Sequence, residues 1–468
     1  MNPLKRFPRA NNAWMDLKHR VAHWRKRRKR REFGGRAGAD LTVTDPRNVL
    51  VVVLDCLRAD HVSGFGHDRP TTPALDRFAD EAAAFSNAKA PSSWTFPSIP
   101  SLLSGRYPHE HGGRMAADPR NLSSEQFPSR PRADVPMLPD LLESAGYDTG
   151  MVTAIPMAEE AVGDRFRHVS VRYTDASERV DAAREWLSGR DRWFCHLHLG
   201  DPHAPLDIPD EHRETFGVPE TDGLEDWRFR EGTGDGGDDF ESYRDAKLRA
   251  YDAAIRGADD ALADLLADLP DDTVVVVCGD HGEAFWEHPG LERRLNHDPR
   301  GYYATDHGHS VLEEVARVPL WVRAPGVETG VTDRPVSLVD VAPTILSALG
   351  ADVPEVLGGP EDLNSADGLS GRSLAEAASD RPLLCEETAY GYNQRAVWHD
   401  GEKLVAVPET GERAAFALDG YLEGDPLDSV PDHLDAALAG FGSGVAGGER
   451  MDVDDDTRDR LAELGYLE

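Results

Sequence analysis

Two apolar runs that each end in acidic residues constrain the fold of this chain more than any other feature. Val49–Leu54 (VLVVVL) is followed by Asp55, and the run TVVVVCG from Thr273 is followed by Asp280 and His281. Continuous apolar runs of this length are typical of strands buried on both faces of a parallel sheet. In open α/β sheets, ligands bind beyond the carboxyl ends of the strands, so we expect these ends to converge on one site. Carboxylates and imidazole together suit a divalent cation.

A loop that turns into a helix, residues 90–112 (APSSWTFPSIPSLLSGRYPHEHG), supplies candidate nucleophiles. Prolines break its start, an apolar face follows, and Gly105 is expected to end the helix. A hydroxyl at the start of a helix lies among free backbone N–H groups at the positive end of the dipole, which suits an anionic ester. Thr95 and Ser98 are the candidates. From the residues alone, a plain helix N-cap is the alternative, and we expect Ser98 to take that role.

These three segments, in this order, resemble the sulfatase branch of the alkaline phosphatase superfamily. The segment Thr95–Arg106 (TFPSIPSLLSGR) is similar to the family's C-x-P-S-R-x-S-L-L-T-G-R motif. The resemblance covers roughly residues 46 to 350. It departs from the family at three positions: Thr95 replaces the cysteine that is oxidised to formylglycine, Ile99 replaces the arginine of the motif, and Cys56 stands where many members carry a second metal-binding aspartate.

The resemblance implies that Asp55, Asp280 and His281 hold a divalent cation, which could be calcium, magnesium, manganese or zinc. It makes the Thr95 hydroxyl a further ligand and the nucleophile, and no formylglycine is expected, because threonine replaces the cysteine. Because hard cations disfavour thiolate, Cys56 is expected to be a small buried hydrophobe rather than a ligand. The resemblance assigns further roles as follows: His203 and His307 in catalysis, Arg106 and His309 in substrate binding, and, as an alternative, Asp201, His203 and His307 as ligands of a second ion.

The expected activity is the metal-dependent hydrolysis of sulfate or phosphate esters, on a small molecule or on a glycan- or lipid-linked substrate. A sulfated formylglycine loses sulfate by hemiacetal breakdown, whereas a threonyl ester must be displaced by water or by another alcohol. Superfamily members with a plain threonine tend to act on phosphate esters, so the site chemistry favours phosphoryl transfer. One alternative is a transferase of phosphoglycerol or phosphoethanolamine. Another is a non-catalytic family member that acts as a binding protein, which would be purified without metal.

The expected fold is α/β, with a mostly parallel central sheet sandwiched by helices as in alkaline phosphatase. We expect a basic tail and linker over residues 1–45, a catalytic domain over residues 46–350 and a small α+β subdomain over residues 351–468. The four cysteines have no close spacing, which fits a reducing compartment and argues against a disulfide scaffold.

Charge separates the tail from the rest of the chain. Acidic residues outnumber basic ones 85 to 51, so the main domain is expected to repel nucleic acid and to suit a salt-loving host. Residues 1–36 instead hold 13 Lys and Arg against 2 acidic residues. Their apolar spacing predicts a basic amphipathic helix on an anionic membrane surface or on the acidic body of the chain, with a disordered tail as the alternative. Without a secretory signal or an apolar span, we expect a cytoplasmic protein, peripheral at the inner membrane face if the tail binds lipid.

Overall fold

The computed structural model describes residues 41–115, 127–206, 208–221, 223–224, 227–230, 237–351, 370–376, 380–418, 420–442, 444 and 447–450, together with residues 23–25, 27 and 28. Its centre is a sheet of nine strands. These are β1 Val49–Leu54, β2 Ala83–Lys89, β3 Asp148–Thr153, β4 His168–Val171, β5 Trp193–Leu199, β6 Val274–Gly279, β7 Arg317–Arg323, β8 Gly330–Thr332 and β9 Val336–Ser337.

The order of the strands is β8-β2-β7-β6-β1-β5-β3-β4, and β9 also pairs with β2. Strand β1 is parallel to both neighbours, with Leu54 opposite Leu199 of β5 and Gly279 of β6. Strand β7 runs antiparallel to β2 and β6. The predicted α/β fold with a mostly parallel sheet is therefore confirmed. The run VLVVVL has the predicted bounds as β1, the apolar run WFCHLHL forms β5, and all residues of both strands are buried.

Helices cover both faces of this sheet, because the alternate residues of each buried strand need an apolar partner on each side. Val49, Val51 and Val53 of β1 belong to one buried cluster, and Leu50, Val52 and Leu54 belong to the other. The helices are α1 Pro73–Phe78, α2 Thr95–Ser104, α3 Pro108–His111, α4 Leu138–Ser144, α5 Pro156–Val162, α6 Ala176–Leu187, α7 Asp210–Thr215, α8 Gly237–Asp268, α9 Pro289–Leu295, α10 Glu313–Ala316, α11 Val341–Ala348 and α12 Asp432–Gly440.

A second, antiparallel sheet follows towards the C-terminus, in the order β10 Leu383–Glu386, β11 Arg395–His399, β12 Glu402–Val407 and β13 Glu412–Ala417. One of its faces packs on α12, through contacts that include Val397 and Leu404 against Leu434. The other face packs on the segment that carries α10. A separate, small sheet-rich C-terminal region thus exists, as expected. The closing helix that we predict over DRLAELGYLE lies outside the described residues.

A buried network of charges joins the two sheets. Glu313, in α10, lies between two lysines: its Oε2 is 2.5 Å from Lys89 Nζ and its Oε1 is 3.1 Å from Lys403 Nζ. Lys403 also forms an ion pair with Glu423, and the Trp398 indole N–H donates to Glu313 at 2.6 Å. All five side chains are buried. Because buried charges are costly unless they are paired, this network holds the second sheet in one position against the first.

The N-terminal segment is described at only five residues, which are helical. Arg27 lies 2.6 Å from Glu143 at the end of α4, and the His23 imidazole lies 3.1 Å from the Phe166 carbonyl oxygen. These two contacts agree with the interpretation that the basic segment rests on the acidic body of its own chain. Binding to a membrane surface stays a prediction. Among the described residues, no helix is long and apolar enough to cross a membrane.

Candidate active site

The register of three parallel strands brings the acidic ends together, as predicted. Asp55 follows β1 directly, Asp280 follows β6 directly, and both are fully buried. The neighbouring strand β5 adds His198, which pairs with Val53 of β1. From the sequence alone, we expect His198 to have a structural or secondary role. The sequence shows only a histidine within an apolar strand. The pairing of the strands is needed to show that His198 faces the two carboxylates.

Four side chains converge at this edge of the sheet. His281 Nε2 lies 3.2 Å from Asp55 Oδ1 and 3.5 Å from Asp280 Oδ2. His198 Nε2 lies 3.7 Å from Asp55 Oδ2 and 3.9 Å from Asp280 Oδ2. Neither of these Oδ2 atoms has a hydrogen-bond partner within the described chain, although both are buried. Orphaned carboxylate oxygens are costly without a cation, so this donor set fits a divalent metal ion.

The pKa values of the two carboxylates are shifted in opposite directions. Burial alone would raise the pKa of Asp55, but its hydrogen bond to His281 and the charges of nearby histidines hold that pKa well below its usual range. Burial and the negative charge of Asp55 raise the pKa of Asp280 to about 7. Two like charges this close disfavour each other, so the pair holds a proton until a cation neutralises it.

Thr95 is the first residue of α2, as predicted, and its hydroxyl faces the carboxylate cluster. Its Oγ1 lies 3.2 Å from His281 Nε2, and the residue is fully buried. Gly105 ends this helix with a φ of 71°, which confirms the predicted glycine C-cap. The prediction for Ser98 is wrong. Its hydroxyl donates to the Asp280 carbonyl oxygen at 2.6 Å and caps no N–H group, so it ties the helix to the acidic loop.

A second group of side chains lies beside the first. His307 Nδ1 lies 3.6 Å from Cys56 Sγ, and the rings of His203 and His307 are 5.0 Å apart between centroids. Burial opposes the charged form of His307, but Glu283 and Asp306 raise its pKa well above the usual range. Burial lowers the pKa of His203. His307 is thus the cationic member of this pair, and the pKa of the buried Cys56 thiol is raised, so the thiol stays protonated.

Three predicted residues have other positions or contacts than we expect. Asp201 accepts a hydrogen bond from the Ala176 N–H at the start of α6, and the potential ligand group here is Cys56, His203 and His307. His309 is fully buried, with its Nε2 2.9 Å from Glu292 and its Nδ1 3.1 Å from the His307 carbonyl oxygen, so it supports the loop rather than contacting a substrate. Arg106 follows the far end of α2, about 15 Å from Thr95 along the helix. The structure therefore does not bring Arg106 to the Thr95 hydroxyl.

The loop before Thr95, the candidate nucleophile, is held by the C-terminal region. The hydroxyls of Ser92 and Ser93 both donate to the Glu387 carbonyl oxygen, at 3.0 and 3.1 Å. Gly308, between His307 and His309, donates its N–H to the Ser93 carbonyl oxygen. The Gly308 carbonyl oxygen accepts hydrogen bonds from the N–H groups of Ala389 and Tyr390. Residues 387–390 therefore tie the loop before Thr95 to the loop that carries His307 and His309.

Gly282, next to the metal-ligand candidate His281, tolerates no side chain. A Cβ atom at this position would lie 2.1 Å from the Glu314 carbonyl oxygen. We expect Gly282→Ala to destabilise the protein by about 1–3 kcal/mol and to weaken metal binding, because the loop must move away from α10. Thermal melts with and without added divalent metal measure both effects. Gly290→Ala is the control, because its Cβ meets nothing within 4 Å; equal melts for the two variants would contradict the steric argument.

Comparison with known proteins agrees with this geometry. The family model Sulfatase matches residues 47–351. The low-salt glycan biosynthesis sulfotransferase Agl7 of Haloferax volcanii is 27% identical over 325 residues, which cover 66% of this chain and 63% of that protein. Human arylsulfatase A is 25% identical, over 86% of this chain and 80% of its own. The chain therefore spans a little under two thirds of the length of the first of these relatives.

Two solved structures share the fold at low identity. BT4656, in complex with its substrate D-glucosamine-2-N,6-O-disulfate, superposes with a TM-score of 0.59 at 18% identity, over 80% of this chain and 91% of its own. The phosphonate monoester hydrolase of Silicibacter pomeroyi superposes with a TM-score of 0.58 at 18% identity, over 84% and 93% of the two chains. The family match covers more than half of the chain, and the fold agrees with it. The chain belongs to the Sulfatase family, and its fold is the alkaline phosphatase-like fold of its structural neighbours.

Proposed function

We propose that this protein is a metal-dependent hydrolase of sulfate or phosphate esters in which Thr95 is the nucleophile. One observation carries the proposal: the Thr95 hydroxyl lies 3.2 Å from His281 Nε2, in the same cluster as the orphaned oxygens of Asp55 and Asp280. The N-cap of α2 is Trp94, so Thr95 is not the capping residue of this helix, and its hydroxyl contacts His281 instead.

The residues that would hold the cation are Asp55, Asp280 and His281, with His198 and the Thr95 hydroxyl beside them. A divalent cation there lowers the pKa of a hydroxyl and neutralises charge on ester oxygens. Thr95 lies at the N-terminus of α2, where the helix dipole favours negative charge. The helix carries prolines at positions 97 and 100, so its first turn keeps a fixed backbone around the hydroxyl.

Bond changes follow from the placement of the side chains. Thr95 gives up its hydroxyl proton to water, its Oγ forms a bond to phosphorus or sulfur as the bond to the leaving oxygen breaks, and charge builds on the equatorial oxygens. His307, held cationic by Glu283 and Asp306, donates a proton to the leaving oxygen or a hydrogen bond to an equatorial one. Water then cleaves the threonyl ester. Because this ester has no hemiacetal route, we favour phosphate esters as the better substrates.

Transfer to an alcohol acceptor is the second candidate activity. The relative from Haloferax volcanii, which aligns over 66% of this chain, is named a sulfotransferase. A threonyl ester is chemically open to either acceptor, because both water and an alcohol attack the same phosphorus or sulfur atom. In this candidate the transferred group is a phosphoglycerol or phosphoethanolamine, and the acceptor is a glycan or lipid-linked alcohol.

A substrate panel tests both candidates. We expect protein treated with a chelator to be inactive and to regain turnover of phosphate mono- or diesters when a divalent metal is added, with slower turnover of sulfate esters. Added glycerol would divert the product from free phosphate to a glycerol ester if transfer is the activity. Asp280→Asn is the control, because it should regain little turnover with metal. Full activity without metal, or no hydrolysis and no transfer across the panel, would contradict the proposal.

A further inference from the structure

A second cluster of metal-binding side chain types lies far along the chain, in the C-terminal sheet. We call His399, Asp400, Glu402 and His433 the hairpin-helix cluster. The turn between β11 and β12 has Asp400 and Gly401 at its centre, with φ of 53° and 77°, as a two-residue type I′ turn requires. This turn places His399 directly opposite Glu402.

The fourth member of the cluster comes from a helix on the same face of the sheet. Side chains alternate between the faces of a strand, so His399 shares a face with Val397, and Glu402 shares it with Leu404. Both apolar residues pack against Leu434 of α12. His433 is the residue just before Leu434, in the first turn of that helix. The rings of His399 and His433 are 5.6 Å apart between centroids.

The distances in the hairpin-helix cluster suit ligands around an ion better than direct hydrogen bonds. His433 Nε2 lies 3.3 Å from Glu402 Oε2, and His399 Nε2 lies 3.9 Å from Asp400 Oδ1. His433 Nε2 is shielded from solvent and makes no hydrogen bond within the described chain. Two ligand atoms about 2.0–2.1 Å from a tetrahedral ion lie about 3.3–3.4 Å apart. His399, Asp400 and His433 each offer a ligand atom within 4.8 Å of the others.

Charge and access also favour a cation. Asp400 and Glu402 supply two negative charges to two imidazoles, and their side chains are 52% and 28% exposed, so an ion can enter from solvent. The N-terminus of α12 carries the positive end of its dipole, which opposes a cation. Asp432 in the first helical turn offsets that effect, whereas Asp435 is paired with Arg413. Imidazole nitrogens and carboxylate oxygens are both ligand types that zinc accepts.

We propose that the hairpin-helix cluster binds a Zn²⁺ ion that ties the β11–β12 turn to the start of α12. The ion would be independent of the candidate active site, because its ligands lie in the C-terminal sheet and its helix. Because the ion would bind the folded protein and not the unfolded chain, it would stabilise this part of the molecule.

Zinc content and thermal melts test this proposal. The full-length protein is stripped with a chelator, supplied with excess Zn²⁺, freed of unbound metal and measured for zinc per chain. We expect His399→Ala and His433→Ala each to hold one Zn²⁺ fewer per chain than the wild type and to lose part of the zinc-dependent rise in melting temperature. Their hydrolysis of a soluble ester should match the wild type, because none of the changed residues belongs to the catalytic site.

Two further variants keep the test decisive. Glu402→Gln retains the size of the side chain and removes a ligand charge, so it should weaken zinc binding without disturbing the turn. His168→Ala changes a histidine of β4, outside both clusters, and should keep the zinc content of the wild type. The difference spectrum of Co²⁺-loaded wild type minus His399→Ala should show the visible bands of tetrahedral cobalt. Equal zinc content and equal melting shifts in the wild type and all three cluster variants would overturn the proposal.

Discussion

Replacing Thr95 by alanine is expected to lower turnover by about 10³- to 10⁶-fold while the protein stays folded and binds metal. The Thr95 hydroxyl faces His281 and the two carboxylates, and no other hydroxyl of the loop does so: Ser92 and Ser93 donate to the Glu387 carbonyl oxygen, and Ser98 donates to that of Asp280. No neighbouring hydroxyl of this loop can therefore take over the attack. Steady-state turnover, metal content and thermal melts of the purified variant give the three measurements.

Two variants control for structural effects at this position. Thr95→Ser keeps the hydroxyl and should retain part of the activity. Ser98→Ala removes a neutral hydrogen bond to the Asp280 carbonyl oxygen, so it should cost about 1 kcal/mol of stability and keep much of the rate. If Thr95→Ala turns over substrate near the wild-type rate, Thr95 is not the nucleophile, although membership of the family would stand.

Lys403→Met is expected to destabilise the C-terminal sheet by about 3–5 kcal/mol. Lys403 is fully buried and neutralises Glu313 and Glu423, and its Nζ also donates to the Val311 carbonyl oxygen at 2.8 Å. Methionine fills similar space but leaves a buried carboxylate without its partner, which is more costly than losing the attraction itself. Native-state hydrogen exchange at the amides of β11 and β12 measures the free energy of local opening.

A surface ion pair of the same sheet is the matched control. Arg413 and Asp435 form an ion pair with side chains 36% and 46% exposed, so Arg413→Met should cost at most about 1 kcal/mol. The double variant Lys403→Met with Glu423→Gln should recover part of the stability, because it removes one of the unpaired charges. An effect of Lys403→Met no larger than that of Arg413→Met would show that the network contributes little.

The buried strands of the central sheet were predictable because a strand covered on both faces is apolar at every position. The start of α8 was not. The charged, glycine-rich composition of residues 210–242 predicts a surface segment, and the apolar spacing that predicts a helix begins at Tyr251, whereas the structure begins that helix at Gly237. The early turns of α8 are highly charged, and their apolar face is carried by only a few residues, such as Phe240 and Tyr243. These rings pack against Phe229 and Trp286, which come from other parts of the chain.

The residues of the candidate site also fall into two groups, those that the sequence predicts and those that it does not. Asp55, Asp280, His281 and Thr95 were predictable because each follows a recognisable local signal, either a strand end or a helix start. The contribution of His198 depends on strand pairing, and that of Glu283 and Asp306 on loops folding against His307, so no local pattern reveals them. The corrected roles of Ser98 and His309 depend on their partners, the Asp280 carbonyl oxygen and Glu292, which are distant in sequence.

The hold of residues 387–390 on the nucleophile loop has a consequence for synthesis of the protein on the ribosome. Every strand of the central sheet is complete by Ser337, so the sheet can assemble while the last part of the chain is still being made. Ser92 and Ser93 receive their hydrogen-bond partner at Glu387 only after another fifty residues have been added. A nascent chain released before that point would carry the ligands of the candidate metal site without the clamp on its nucleophile loop. The clamp on this loop therefore depends on a segment that is made about fifty residues after the last strand of the central sheet.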